Sequence, residues 1–135
     1  MTGTLLGAVH LESGDPPHRQ SIRAGHHDIL ADEPASNGGG DAGPSPFSLM
    51  LAGLAACTSI TLRMYADRKG WVLGTVKVDA RMSRAAEGDG FQIERVVRLG
   101  APLSEEQKQR LAEIADKTPV TKAIARGVPI TTTFP

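Results

Sequence analysis

Pro44-Ser45-Pro46-Phe47-Ser48-Leu49-Met50-Leu51-Ala52-Gly53-Leu54-Ala55-Ala56-Cys57-Thr58-Ser59-Ile60-Thr61-Leu62-Arg63-Met64-Tyr65-Ala66 contains the longest apolar run of the chain and its only cysteine, Cys57. Prolines at its start fit a first helical turn, where the missing N–H had no intrahelical partner. The pattern predicts a helix to about Lys69, stopped by Gly70 after basic Arg68 and Lys69. Met50, Gly53, Leu54, Cys57, Thr61, Met64 and Arg68 recur at i, i+3, i+4 and share one face. That face narrows at Gly53, and Ala52, Ala55 and Ala56 keep its flanks small, so a second helix could approach closely. A lone thiol in such a run is either inert packing or a guarded nucleophile. The residue pattern by itself favours packing, since free cysteine behaves as a small hydrophobe. A helix this long and apolar is hard to bury in one 135-residue domain, which points to self-association.

Working outward, residues 4 to 10 read as a first strand. Gly14-Asp15-Pro16-Pro17 is a turn, because two prolines do not fit a sheet interior. Gln20 to Ala24 and His27 to Ala31 are short strands broken at Gly25. Asp32 to Gly43, with Pro34 and Gly38-Gly39-Gly40, is a loop expected to have backbone freedom and little burial. Beyond the helix, Gly74 to Ser83 alternates as a strand, Ala85 to Gly90 is a hairpin loop and Phe91 to Leu99 is the partner strand. Ser104-Glu105-Glu106-Gln107 is a capping box opening a helix that turns Leu111 and Ile114 inward and ends near Lys117. Pro119 to Ala125 is a second short helix, stopped by Gly127, and Val128 to Phe134 is a last strand. The fold class is α+β, with antiparallel strands packed around a long central helix, as a single domain over residues 1–135.

Composition narrows the function classes. Hydrophobic residues make up 40% and aromatics 4%, so Leu, Val, Ile, Ala and Met must build the core. Fifteen basic and fifteen acidic side chains balance to zero, which argues against capture of nucleic acid or an anionic membrane. One cysteine excludes an intramolecular disulfide. No basic and apolar leader is visible at the N-terminus. Phe47 to Leu62 is shorter than the roughly 20 residues of a membrane span. These features read as a buried helix in a cytoplasmic protein. His18, His26 and His27 make a poor metal chelate, because adjacent histidines on a strand point to opposite faces, and Asp28 or Asp32 would have to supply a third ligand. No metal and no cofactor are expected. Gly38 to Gly40 lacks the Lys-Ser/Thr of a phosphate loop.

Three blocks in order carry a resemblance: Gly43-Pro44-Ser45-Pro46-Phe47, then Ala55-Ala56-Cys57-Thr58-Ser59 running on through Thr61 to Trp71, then Ala115-Asp116-Lys117-Thr118-Pro119-Val120. Asp32-Glu33-Pro34 and the following glycines match the same pattern. Over about residues 18 to 134 the chain resembles the OsmC/Ohr family of thiol-dependent hydroperoxide reductases. The resemblance implies an OsmC-like fold, an intertwined homodimer with the site at the subunit interface, and Cys57 as the peroxide-attacking thiol. It also implies an arginine from the N-terminal segment that holds the thiolate, with Arg23 or Arg19 as the candidates. The family's second, resolving cysteine corresponds to Thr118, which cannot form a disulfide, and Phe47 and Ser48 stand where the family carries a carboxylate early in the helix.

The expected activity is therefore reduction of small organic hydroperoxides through Cys57, with an external thiol reductant resolving the product. The alternative is a non-catalytic homodimer that binds a small hydrophobic ligand at its interface. Loss of the second cysteine favours the alternative, and retention of Cys57 favours the enzyme.

Overall fold

A computed structural model describes residues 3–135. Tight turns build its first sheet. Gly14 N–H donates to the Arg19 carbonyl at 2.7 Å, closing a hairpin between β1 (Val9–Ser13) and β2 (Gln20–Ala24). Gly25, at φ +62, turns β2 into β3 (His27–Ala31). The three strands are antiparallel in the order β1-β2-β3. The first strand lies later than the expected residues 4 to 10. It can extend only as far as β2 offers partners, and that ladder runs from Val9 opposite Ala24 to Ser13 opposite Gln20.

The loop after β3 is tied down, contrary to the freedom expected of it. Asp32 is buried. Its Oδ1 accepts from the Glu33 N–H at 2.8 Å and its Oδ2 from the Ala42 N–H at 3.1 Å. The Asp41 N–H donates to the Glu33 carbonyl at 3.0 Å. A Cβ on Gly39 would strike the Glu33 carbonyl, and one on Gly43 the Leu30 carbonyl. These glycines therefore serve close backbone approach, which their density in the sequence did not distinguish from looseness. Hydrogen bonds from Ala42 and Glu33 hold the Asp32 carboxyl below its ordinary value against the opposing effect of burial. Gly40 and the Arg19 charge add to the lowering.

Ser45 Oγ accepts from the Ser48 N–H at 3.2 Å and opens α1 (Pro46–Lys69), which Gly70 ends at φ +71. The buried face of α1 is Leu54, Thr58, Leu62, Tyr65 and Ala66. Of the stripe that shares one face in the sequence, only Leu54 belongs to the buried set, while Gly53, Met64 and Arg68 are exposed, as a face left for a second helix would be. The neighbouring face wins because it carries Leu62 and Tyr65, whose larger apolar area gains more from burial than glycine or cysteine. At 24 residues α1 is also longer than the expected apolar run, and by length and composition it could cross a membrane. In this fold it packs its inner face on a protein core instead.

That core joins Leu62, Tyr65 and Ala66 to Leu73, Leu111 and Ala115. β4 (Val76–Arg84) and β5 (Phe91–Leu99) form the second sheet, closed by the Ala85 N–H on the Gly90 carbonyl at 2.9 Å. Its register sets Val76 opposite Leu99 and Arg84 opposite Phe91. The Ser104 and Gln107 side chains form the expected capping box on α2 (Glu105–Ala115). α3 (Pro119–Arg126) starts at Thr118 and stops at Gly127. Val128 to Phe134, expected as a strand, has no partner strand among the described residues, and Val128, Ile130 and Phe134 are exposed. A strand exists only where another backbone takes its hydrogen bonds. The chain divides into one unit ending at Met50 and another from Leu51 to Pro135.

Candidate active site around Cys57

The second unit holds Cys57 where α1, β5 and α3 supply polar groups. Cys57 is half-buried, and its Sγ lies 3.9 Å from Thr61 Oγ1, one turn along the helix. Thr58, the next residue, is fully buried. Its hydroxyl donates to the Leu54 carbonyl at 2.7 Å, which satisfies it inside the helix. On β5 the inward positions alternate as Ile93, Arg95, Val97 and Leu99. Arg95 is thus a charged residue at an apolar position. Its Nη1 donates to Thr58 Oγ1 at 3.0 Å and to Thr121 Oγ1 at 2.9 Å, and its Nη2 to the Ala115 carbonyl at 3.1 Å. Asp116 Oδ1 lies 3.5 Å from Nη2.

Thr118 is fully buried at the start of α3. Its Oγ1 accepts from the Thr121 N–H at 3.1 Å and lies 2.7 Å from Thr121 Oγ1. It is therefore the N-cap of α3, followed by Pro119 at the first helical position. Burial pushes the Cys57 thiol up. Hydrogen bonding from the Val120 N–H and the Thr118 hydroxyl, then from Thr61, together with the Arg95 charge, outweighs it, and the thiol ends below its ordinary value. A thiol lowered in this way is more often ionised, and the thiolate is the reactive form.

The structure thus brings Thr118 to Cys57. Arg19 and Arg23 lie in the unit ending at Met50, where Arg23 Nε pairs with Asp28 Oδ1 at 2.7 Å and the Arg19 charge acts on Asp32. The arginine that acts on the thiol within its own unit is Arg95, which the sequence reading missed. The signal was available: in Phe91-Gln92-Ile93-Glu94-Arg95-Val96-Val97-Arg98-Leu99 only Arg95 breaks the apolar alternation of the inward set. No acidic residue lies in the first turn of α1. Among the described residues no group of three or more His, Cys, Asp or Glu could hold a metal ion. His26 lies in the turn before β3, not on the strand, and its ring stacks 4.1 Å from that of His27.

The profile of the OsmC family, described as OsmC-like protein, matches residues 38–133. This chain belongs to that family. A comparison with curated proteins gave no match. Among solved structures, the OsmC-like protein of Mycoplasma pneumoniae superposes with a TM-score of 0.75 at 18% identity, covering 88% of this chain and 86% of that one. An organic hydroperoxide resistance protein OsmC from Legionella pneumophila gives 0.69 at 20%, covering 91% of each. The organic hydroperoxide resistance protein OhrB of Bacillus subtilis gives 0.63 at 25%, covering 88% of this chain and 90% of that one. The α+β fold of this OsmC-like chain is accordingly that of OsmC/Ohr proteins, and two of these neighbours carry names of hydroperoxide resistance.

Proposed function

We propose that this chain is a one-cysteine, thiol-dependent reductase of small organic hydroperoxides. The observation that carries the reading is the lowered thiol of Cys57, set against the N-terminus of α3 and the Arg95 charge. The thiolate attacks the outer oxygen of ROOH, the S–O bond forms, the O–O bond breaks, and ROH leaves with a proton from solvent. Cys57 becomes a sulfenic acid. The lone cysteine of the chain leaves resolution to an external thiol. That thiol displaces water to give a mixed disulfide, and a second thiol group releases Cys57 and the oxidised reductant. Thr118 stands at the family's resolving position. Arg19 or Arg23 supplies a further guanidinium to the thiolate, and alkylation rates of Arg19→Ala and Arg23→Ala test each.

The working form is a single OsmC-like domain in a cytoplasmic homodimer, without cofactor. Exposed Ile60 and Met64 on the outer face of α1, with Val128, Ile130 and Phe134, support the dimer. The deciding experiment is peroxide consumption with a dithiol or a monothiol as reductant. Wild type should turn over and Cys57→Ser should not; equal rates would overturn the reading.

A cavity of about 710 Å³, where Leu54, Met82, Phe91, Ile93 and Ile124 stand beside Arg95, Asp116 and Thr121, supports a second reading, a non-catalytic homodimer that binds a small, largely hydrophobic ligand. Absence of peroxide consumption, with Cys57 alkylated no faster than a free cysteine, would favour that reading.

A further inference from the structure

Arg95 is a nearly enclosed cation without a strong counter-ion. Its side chain is 15% exposed, and its one carboxylate neighbour among the described residues, Asp116, is 81% exposed and 3.5 Å away. The other partners are neutral: the Thr58 and Thr121 hydroxyls and the Ala115 carbonyl. A buried cation is unfavourable unless another charge answers it. The protons of the network are also assigned. Thr58 Oγ1 donates to the Leu54 carbonyl and Thr121 Oγ1 to the Ala115 carbonyl, so both hydroxyls face Arg95 as acceptors. Thr118 Oγ1 already accepts from the Thr121 N–H, which leaves its own proton for Thr121 Oγ1, 2.7 Å away, or for the Cys57 thiol, on which the same hydroxyl acts.

We propose that Arg95 is the positioning residue of the Cys57 thiolate: its guanidinium fixes Thr58 and Thr121, and through Thr121 it aims the Thr118 hydroxyl at the sulfur. The inference rests on the reading of Cys57 as the peroxide-reacting thiolate. Ionised Cys57 is then the charge that answers Arg95, and the Thr118 proton turns from Thr121 to the sulfur as the thiolate forms. Neutral Cys57 leaves that proton on Thr121. The charged groups at the network are Arg95 from β5 and Asp116 from the end of α2. α1 and α3 meet it through Thr58 and Thr121, and Arg98 and Lys108 line the cavity beyond. An arginine that merely staples β5 to the helices would contribute stability and leave the thiol unaffected.

The experiment is the pH profile of Cys57 alkylation by iodoacetamide, with peroxide consumption measured in parallel. Arg95→Gln should alkylate roughly tenfold more slowly at neutral pH and converge with wild type at alkaline pH, where both thiols are ionised. Arg95→Lys, which keeps the charge, should recover most of the rate. A folded Arg95→Gln whose profile superimposes on wild type overturns the proposal. Should that variant fail to fold, Asp116→Asn decides. Removing the carboxylate leaves the guanidinium less neutralised, so alkylation at low salt should accelerate below neutrality, and an unchanged profile overturns the proposal. Profiles that shift as expected without any peroxide consumption would sink the reductase reading and leave the positioning role standing. Consumption with unmoved profiles would do the reverse.

Discussion

From Leu51 onward the chain buries Leu62, Leu73 and Leu111 to 3% exposure or less, whereas up to Met50 the buried ones among the described residues are Ala31 and Asp32. One unit is ordered by apolar packing, the other by hydrogen bonds to a carboxylate and by glycines that let backbone meet backbone. β1 is exposed along its whole length, and Leu5, Leu6, Val9 and Leu11 all face outward. A three-stranded sheet needs an apolar face against something to be stable by itself. The difference teaches where each region draws its stability, and so how each should fail. The packed unit should lose stability when volume is removed. The clamped unit should lose it when a carbon is added or a carboxylate is protonated.

The largest expected effect is in the packed unit. Leu62 is 1% exposed, and Leu62→Ala should destabilise by ~2–5 kcal/mol through lost transfer energy and the cavity left behind. Denaturant unfolding measures it. Leu11→Ala, at 49% exposure, should cost far less at protein concentrations that keep the chain monomeric. Equal losses in the two variants would break the contrast and show the N-terminal sheet to be as well packed as the core.

In the clamped unit, Gly39→Ala places a methyl group on the Glu33 carbonyl and should destabilise by ~1–3 kcal/mol despite removing no contact. The clamp is also sensitive to acid. The Asp32 carboxyl is lowered in the folded state. Its contribution is therefore fully present above the ordinary carboxylate range and is lost as pH falls through the folded value. Hydrogen exchange at the Glu33 and Ala42 amides should accelerate there before the amides around Leu62 do. Simultaneous loss at both places would mean that the two units do not differ in this way.

Local signals carried most of the fold. The capping box at Ser104, the prolines and Gly70 bounding α1, and the β4–β5 hairpin are written in short stretches whose chemistry acts within a few residues. What escaped depended on distant partners. The inner face of α1 was not legible because periodicity gives two adjacent faces, and the packing of Leu62 and Tyr65 against Leu73 and Leu111 selects between them. The strand expected over Val128 to Phe134 failed because alternation is silent on whether a partner edge exists. At the candidate site, the pairing of Thr118 with Cys57 was legible from the family pattern. Arg95 was not, because the search looked for an arginine before the helix and not for a charge among the inward residues of β5.

A smaller effect is expected at Thr118. The sequence alone could not say whether its hydroxyl caps α3, and the Thr121 N–H at 3.1 Å answers that it does. Thr118→Cys should therefore cost ~1 kcal/mol of stability from the lost cap. In exchange it places a second sulfur where the Thr118 hydroxyl meets the Cys57 thiol. Peroxide should then join the two sulfurs, and mass spectrometry with and without reductant should show the bridge. A folded variant that forms no bridge would remove Thr118 from the resolving position.

The smallest effect on the chain itself is expected at Gly53, and it carries the sharpest information about the outer face of α1. No heavy atom lies within 4 Å of a Cβ built there, so within one chain the position opens on free space. Leucine is also a better helix former than glycine by ~0.5–1 kcal/mol. Gly53→Leu should then leave unfolding unchanged or slightly improved at concentrations where the chain is monomeric. A second copy packed closely along the small residues of this face would meet the new side chain directly. Light scattering at micromolar concentration should accordingly find wild type dimeric and Gly53→Leu shifted toward monomer. A variant that dimerises as well as wild type would place the subunit contact elsewhere and leave Ile60 and Met64 without the cover proposed for them. A wild type that is monomeric throughout would remove the dimer altogether.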